Sequence, residues 1–365
     1  MVHRLLPKTT EDLIRWYERY ASPFSLLVGF TIDAIAVGAL DIWIYSLVLL
    51  LHLVLAATGI ICLHLIERGT IRTRFSMSAA PLLPVVIQYS FGALFSGFIL
   101  LYSQSAAFAT SWVFVVLLAC LLLGNERFRR FYATFPVQIG ILYFALFSFL
   151  IFFVPVVTHE IGSWIFLASG LLSLAAIAAV LSFAASLMRS FFKEQRETVL
   201  HVVIGIFACI NALYFLGAVP PLPLALRDAG VFHSLAKAGG GYEVSYEPRA
   251  WYEFYRRYAP VFHRVRGETV YVYTAIFAPT GIATKVRHEW QYFDEARDEW
   301  VTESTYEFPI VGGRDGGYRG YTLKRDIAPG TWRVNVETDY GQLIGRVAFT
   351  VEATATTPIL ERGVR

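Results

Sequence analysis

The stretch Gly312–Lys324, GGRDGGYRGYTLK, sets two arginines, an aspartate and two tyrosines among five glycines. Glycines that open a helix would let its first N–H groups cradle a phosphate. The residues that follow, YTLKRDIAPGTW, alternate like a strand and then enter a Pro-Gly turn, which excludes a phosphate loop of that kind. Two readings are open. In the first, the glycines bend a strand–strand corner, and the arginines pair with acidic residues such as Asp315. In the second, Arg314, Asp315, Tyr318, Arg319 and Tyr321 form a ligand-binding lip for a sugar, a carboxylate or a peptide.

Other polar groups stand inside apolar runs. Asp33 is the one formal charge placed well away from a run's end. A carboxylate at mid-span costs about 2.5–3.5 kcal/mol on insertion scales, so it must face a bundle interior and find a partner there. His52, His64, Gln88, Gln138 and Asn211 are the intramembrane candidates. The site is then either a proton or cation site, or an interhelical hydrogen bond that fixes the bundle. His52 and His64 are a weak metal pair, because their spacing turns them about 120° apart around a helix. The dipeptide His288-Glu289 suggests acid–base work, but strand alternation sends the two side chains to opposite faces. His288, beside Trp290, then reads as a histidine at the edge of a core. No Ser–His–Asp set, HExxH helix or metal-ligand spacing is legible, so no catalytic residue, metal or cofactor is assigned.

The elements that must position these residues fall into two classes. Residues 1–225 carry 13 Lys/Arg and 10 Asp/Glu in short clusters, whereas residues 226–365 carry 18 of each, evenly spread. Seven apolar runs, at 24–40, 42–66, 81–103, 106–124, 135–157, 164–188 and 199–219, reach the length a bilayer-crossing helix needs. The leader and every second connection hold all thirteen basic residues of this half; the alternate connections hold none. That asymmetry predicts a cytoplasmic N-terminus and, with seven spans, an external C-terminal domain. Residues 1–23 are too polar for a signal-peptide core and read as an interfacial helix, with Leu13, Trp16, Tyr17 and Tyr20 on one face. Gly92 and Ser96 suggest a small-residue helix contact.

Beyond the proline-rich break at Gly217–Gly230 the period changes to two. Strands are predicted over 242–247, 269–278, 285–293, 300–308, 318–325, 331–338 and 342–351, with 249–263 as an aromatic helical turn. Seven short strands separated by turns predict an immunoglobulin-like β-sandwich over 226–365, behind a polytopic membrane domain at 24–225. Cys62, Cys120 and Cys209 all lie in apolar runs, so the sandwich needs no disulfide. Its balanced charge gives no sign of a nucleic-acid surface.

The segments VYVYTAIFAPTGIATKVRHEWQYFD, GGRDGGYRGYTLKRDIAPGTWRVNVET and GQLIGRVAFTV resemble the C-terminal module of a bacterial family of multi-span membrane proteins of unknown function. GFTIDAIAVGALD, QYSFGALFSGFILLYSQSA, GNERFRRFYATFPVQIG and NALYFLGAVPPLPLALRDAG are similar to its membrane half. The resemblance implies a bacterial inner-membrane protein with a periplasmic β-domain, and it brings no catalytic residues. The expected role is non-catalytic, with the bilayer and an envelope protein or a glycan as partners, alone or in a homo- or hetero-oligomer. The alternatives are a small-solute or proton-coupled transporter built on Asp33, and a membrane-embedded enzyme acting on a lipid-linked substrate.

Overall fold

The computed structural model describes residues 30–31, 42–71, 73, 80–105, 108–127, 134–219, 223–249, 258–313 and 317–365. The predicted interfacial helix, nearly all of the first apolar run with Asp33, and residues 250–257, 314, 315 and 316 lie outside these.

Six helices occupy the N-terminal part among the described residues: α1 (Ile42–Glu67), α2 (Leu83–Ser105), α3 (Phe108–Arg127), α4 (Phe135–Thr158), α5 (Ser163–Leu187) and α6 (Arg189–Phe215). Five of them are long and apolar enough to cross a membrane, by length and composition; α3 contributes a shorter apolar stretch, Trp112–Gly124. α4 is the most enclosed, with 83% of its most apolar window buried. Its aromatic residues supply much of the packing, as where Phe147 stacks on Phe207 at 5.9 Å. Two tyrosines bond across helices: Tyr102 donates to the Ser148 carbonyl at 3.0 Å, and Tyr143 meets Ser173 at 3.2 Å. Close approaches fall at Gly97, where a Cβ would meet the Tyr45 hydroxyl, and at Gly140 and Gly59, where it would meet Val202 and Ile87, while Gly92 faces open space. The small-residue contact is therefore displaced from the pair the sequence suggested. The charged segment RSFFKEQRET is helical and continuous with the last apolar run; the only break from α5 is at Met188, with φ −132° and ψ 52°.

The C-terminal part is sheet-rich. Eleven strands are present among the described residues: β1 (Ala225–Phe232), β2 (Ser234–Ala238), β3 (Gly241–Tyr246), β4 (Val261–Arg264), β5 (Thr269–Phe277), β6 (Ala283–Asp294), β7 (Glu299–Val311), β8 (Tyr318–Arg325), β9 (Gly330–Thr338), β10 (Leu343–Ala353) and β11 (Glu361–Val364). They form sheets of order β1-β5-β8, β4-β10-β9-β6-β7 and β11-β3-β2. Val231, Val270 and Val272 of the first sheet share one core with Trp290, Trp332, Val334, Val347 and Phe349 of the second. A smaller cluster, with Phe232, Val244 and Tyr273 at its centre, joins β3 to the back of β5.

All seven predicted strands are found within a few residues of their expected limits. Four strands were not predicted. β1 begins within the proline-rich break at Gly217–Gly230 and runs past it; Arg227, Asp228 and Gly230 dilute its alternation. β4 occupies residues 261–264, overlapping the end of the segment 249–263 read as an aromatic helical turn. It pairs parallel to β10, a long-range contact that local periodicity does not report.

By clustering of contacts the chain forms two compact units. The first holds most of residues 1–219, and the second comprises Pro220–Arg365 with Gln104–Ser111 and Pro155–Ser163.

Candidate ligand-binding face

The glycine-rich stretch is shaped by close backbone approach. Gly312 donates to the Ile282 carbonyl at 2.8 Å and Gly313 to the Ala278 carbonyl at 3.0 Å. A Cβ on Gly312 would fall on the Pro279 carbonyl oxygen, and Gly317, at φ +83°, has its Cβ direction filled by the Ile276 backbone. Glycine is the residue that fits both conditions. Arg314 and Asp315 lie outside the described residues. The other three members of the predicted lip alternate along β8, so they do not share a face. Tyr318 packs against the core around Ile276 and Ile310. Arg319 and Tyr321 point the other way: Arg319 Nη1 donates to the Gly240 carbonyl at 2.9 Å, and Tyr321 meets Tyr242 edge-on at 5.7 Å.

Of the intramembrane polar candidates, the structure brings together His64 and Gln138. His64 Nε2 lies 3.0 Å from Gln138 Oε1, its Nδ1 lies 3.2 Å from Glu67, and its ring packs on Phe135 and Phe191. His52 and Asn211 instead bond to carbonyls one turn back on their own helices, at Val48 and Phe207. Gln88 is half-buried on α2. Among the described residues no group of three or more His, Cys, Asp and Glu side chains has metal-binding geometry.

Two histidine clusters lie in the sheet-rich part. His288 is fully buried in the core, not at its edge, and Glu289 is on the opposite face of β6. Its ring nitrogens meet the Thr274 and Thr322 hydroxyls, each at 3.0 Å, and Trp290 Nε1 donates to Thr322 at 3.0 Å. Burial pushes its pKa down to about 3, so it is neutral. His233, between β1 and β2, sits between carboxylates: Nδ1 is 2.6 Å from Glu268 and Nε2 is 3.1 Å from Glu247. Glu247 also accepts from the His263 backbone and ring, each at 2.6 Å. Burial opposes the charge on His233, but the two carboxylates outweigh it and raise the pKa above 6.5. Both ring nitrogens of each histidine are taken by partners within the fold.

The arrangement with capacity to spare is the outer face of the five-stranded sheet. Register sets Arg287 opposite Glu337, Glu289 opposite Asn335 and Gln291 opposite Arg333. On the next strand Arg346 stands opposite Asn335, and Ala348 opposite Arg333. A linked set of bonds fixes these side chains. Arg333 Nε donates to Gln291 Oε1 at 2.6 Å, and Arg346 Nε to Asn335 Oδ1 at 2.7 Å. Gln291 donates to Glu289 at 2.9 Å and to Thr302 at 3.0 Å; Asn335 donates to Glu289 at 3.2 Å. Arg287 Nη2 donates to Glu337 at 3.2 Å, and the Arg333 guanidinium lies 3.9 Å over the Trp300 ring. Burial lowers the pKa of Arg333 and Arg346, and the charge of Arg346 lowers that of Arg333 further. Burial also raises Glu337, helped by the nearby Glu289. Charges are thus crowded and partly shielded from water on this face.

The sequence contained half of this site. The polar alternates of 285–293 and of 331–338 were visible, but neither run shows that it lies beside the other. The register of β6, β9 and β10 was the missing information.

Residues 283–351 match the family described as a protein of unknown function (DUF2914). The DUF2914 segment runs from β6 to β10 and contains every residue of the polar face just described, whereas His233, Glu247, His263 and Glu268 fall outside it. No curated protein matches the chain. Among solved structures, Pseudomonas fluorescens alkylpurine DNA glycosylase AlkC bound to DNA containing an abasic site analog aligns over 83% of this chain and 97% of that one. The identity is 13% and the TM-score 0.23, a likeness that carries no argument about fold or activity.

Proposed function

We propose that this is a seven-span bacterial inner-membrane protein that holds an immunoglobulin-like sandwich in the periplasm as a non-catalytic binding module for an envelope partner or a glycan. One observation carries the binding reading: the outer face of β6, β9 and β10 presents guanidinium, carboxamide and carboxylate groups that are locked to one another. Groups held in this way can meet a ligand without losing much side-chain freedom. The five long apolar helices are compatible with the membrane reading, and the confinement of basic residues to alternate connections supports the orientation. A transporter reading would rest on Asp33, and no described residue speaks for it.

Two measurements on the full chain test the proposal. A reporter active only in the periplasm should be active when fused after Arg365 and silent after Arg130; the reverse pattern would overturn the compartment. Protein solubilised in detergent should be retained by isolated envelope material (cell-wall sacculi, lipopolysaccharide or solubilised envelope protein), with exchange of β6, β9 and β10 amides slowed in the complex. Slowing confined to other strands would move the binding face elsewhere.

A further inference from the structure

Resting on that reading of the face, we infer that Arg333 and Arg346 form a phosphate-binding site, taking a phosphate ester carried by a sugar or by a lipid headgroup. Each guanidinium is anchored through Nε alone, by Gln291 and by Asn335, and those two amides are held in turn by Glu289 and Thr302. Anchoring at Nε fixes the plane of a guanidinium and leaves both terminal nitrogens as donors. Among the described residues no acceptor meets the terminal nitrogens of either arginine. Arg287 differs, since it spends a terminal nitrogen on Glu337 and stands in register with Glu307.

The spacing selects the anion. Arg346 is opposite Asn335, two residues from Arg333 along β9, so the two arginines are diagonal neighbours with Cα atoms about 7–8 Å apart. Ala348 stands directly opposite Arg333 and two residues along β10 from Arg346; it is exposed and adds no side chain beyond its methyl. A carboxylate has two oxygens in one plane and saturates one guanidinium fork. A phosphate ester has oxygens in several directions and can accept from two forks at once. Burial and the charge of Arg346 hold Arg333 below the usual arginine range against the pull of Glu289 and Glu337, and an anion held by both guanidinium groups relieves that repulsion. One face of Trp300 is already covered by Arg333, so the recognition is of the anion rather than of a stacked sugar ring.

The test is a calorimetric titration of the full chain in a non-ionic detergent. The probes are inorganic phosphate, glucose 1-phosphate, dihexanoyl phosphatidic acid, glucuronate and glucose. Phosphate and at least one of the two esters should bind, glucuronate at least tenfold more weakly, and glucose not at all. Binding of both esters assigns the site to phosphate from either source, and binding of the lipid ester alone assigns it to a headgroup. Arg333→Gln and Arg346→Gln should each weaken the phosphate by tenfold or more in chains that circular dichroism shows to be folded. Arg346→Lys, which keeps the charge but loses the fork, should also weaken it. Phosphate binding that is unchanged in both glutamine variants, glucuronate binding as tightly as phosphate, or no anion binding would each overturn the inference. If the envelope material is still retained through β6, β9 and β10 by the glutamine variants, the site falls and the binding-module reading stands; if retention is also absent, both fall.

Discussion

His233 and His288 are both buried in the sheet-rich region, at 8% and 0% exposure, and each has a partner on both ring nitrogens. Their partners differ in kind. His288 lies between two threonine hydroxyls inside the DUF2914 segment, while His233 lies between two carboxylates outside it. A hydroxyl can give or accept a proton's bond, so it satisfies a neutral imidazole and does nothing to favour the cation. A carboxylate only accepts, so two of them call for an imidazolium. His288 is the more deeply buried of the two, and the pKa shifts run in opposite directions, down at His288 and up at His233. The difference teaches that burial sets the penalty for charge, and the chemistry of the partners decides whether it is met. At His288 the polar trio with Thr322 and Trp290 orients a core. At His233 a charged clamp joins the start of the small sheet to β4 and to the approach to β5.

Replacing each centre breaks the comparison in a different way. The measurements suit a fragment of residues 223–365, which keeps all eleven strands and the buried core residues Leu224 and Ala225. His233→Leu leaves Glu247 and Glu268 facing an apolar group, and breaking a buried charge pair costs about 3–5 kcal/mol. Urea unfolding at pH 6.5 should show a loss of that size. A loss under about 1 kcal/mol would mean that the clamp is not charged. Thr322→Val keeps the shape of the core but strips the acceptor from Trp290 Nε1 and one partner from His288. Unsatisfied buried groups cost about 1–3 kcal/mol each, so the loss should be about 2–3 kcal/mol and nearly the same at pH 6.5 and pH 8. A cost that depended on pH across that range would show that His288 titrates there, and the neutral assignment would fail.

What was legible in the sequence divides along similar lines. Strands with strict alternation, such as 331–338 with Trp332, Val334 and Val336, were visible because one face is buried against a core and the other is not. β1 and β4 were hidden for the converse reason: their stability comes from partners distant in the chain, β5 and β10, and not from their own pattern. The same limit applied to the sites. Asn335 is one polar residue among the alternates of 331–338, and only the pairing of β9 with β10 makes it the anchor of Arg346. Tyr318, Arg319 and Tyr321 looked like one lip, but strand alternation divides them between the core and the opposite face. His233 and Glu247 carried no signal at all, because each is placed by a strand end rather than by a motif.

The smallest effects, and the sharpest separation of the two histidines, lie in the pH dependence of stability. His233 has a folded pKa above its unfolded value of 6.5. Its contribution is therefore fully present below pH 6.5 and is lost as the pH rises through the folded pKa. His288 has a folded pKa of about 3, far below 6.5. The unfolded chain binds the extra proton between those values, so stability falls as the pH drops below 6.5. Glu247, whose pKa is lowered by its bonds to His233 and His263 against the effect of burial, adds a further loss only as the pH falls below its ordinary value of 4.5. The two histidines thus act on opposite sides of pH 6.5 and together place a stability maximum near it. Each titrating group changes stability by at most about 1.4 kcal/mol per pH unit. Subtracting the profile of His233→Gln from that of the unsubstituted fragment should isolate, above pH 4.5, a limb that declines only above pH 6.5; below pH 4.5 the lost bond to Glu247 enters as well. Subtracting that of His288→Gln should isolate one that declines only below pH 6.5. If both differences fell on the same side of pH 6.5, the two clusters would not differ in charge, and the contrast between hydroxyl and carboxylate partners would lose its physical basis.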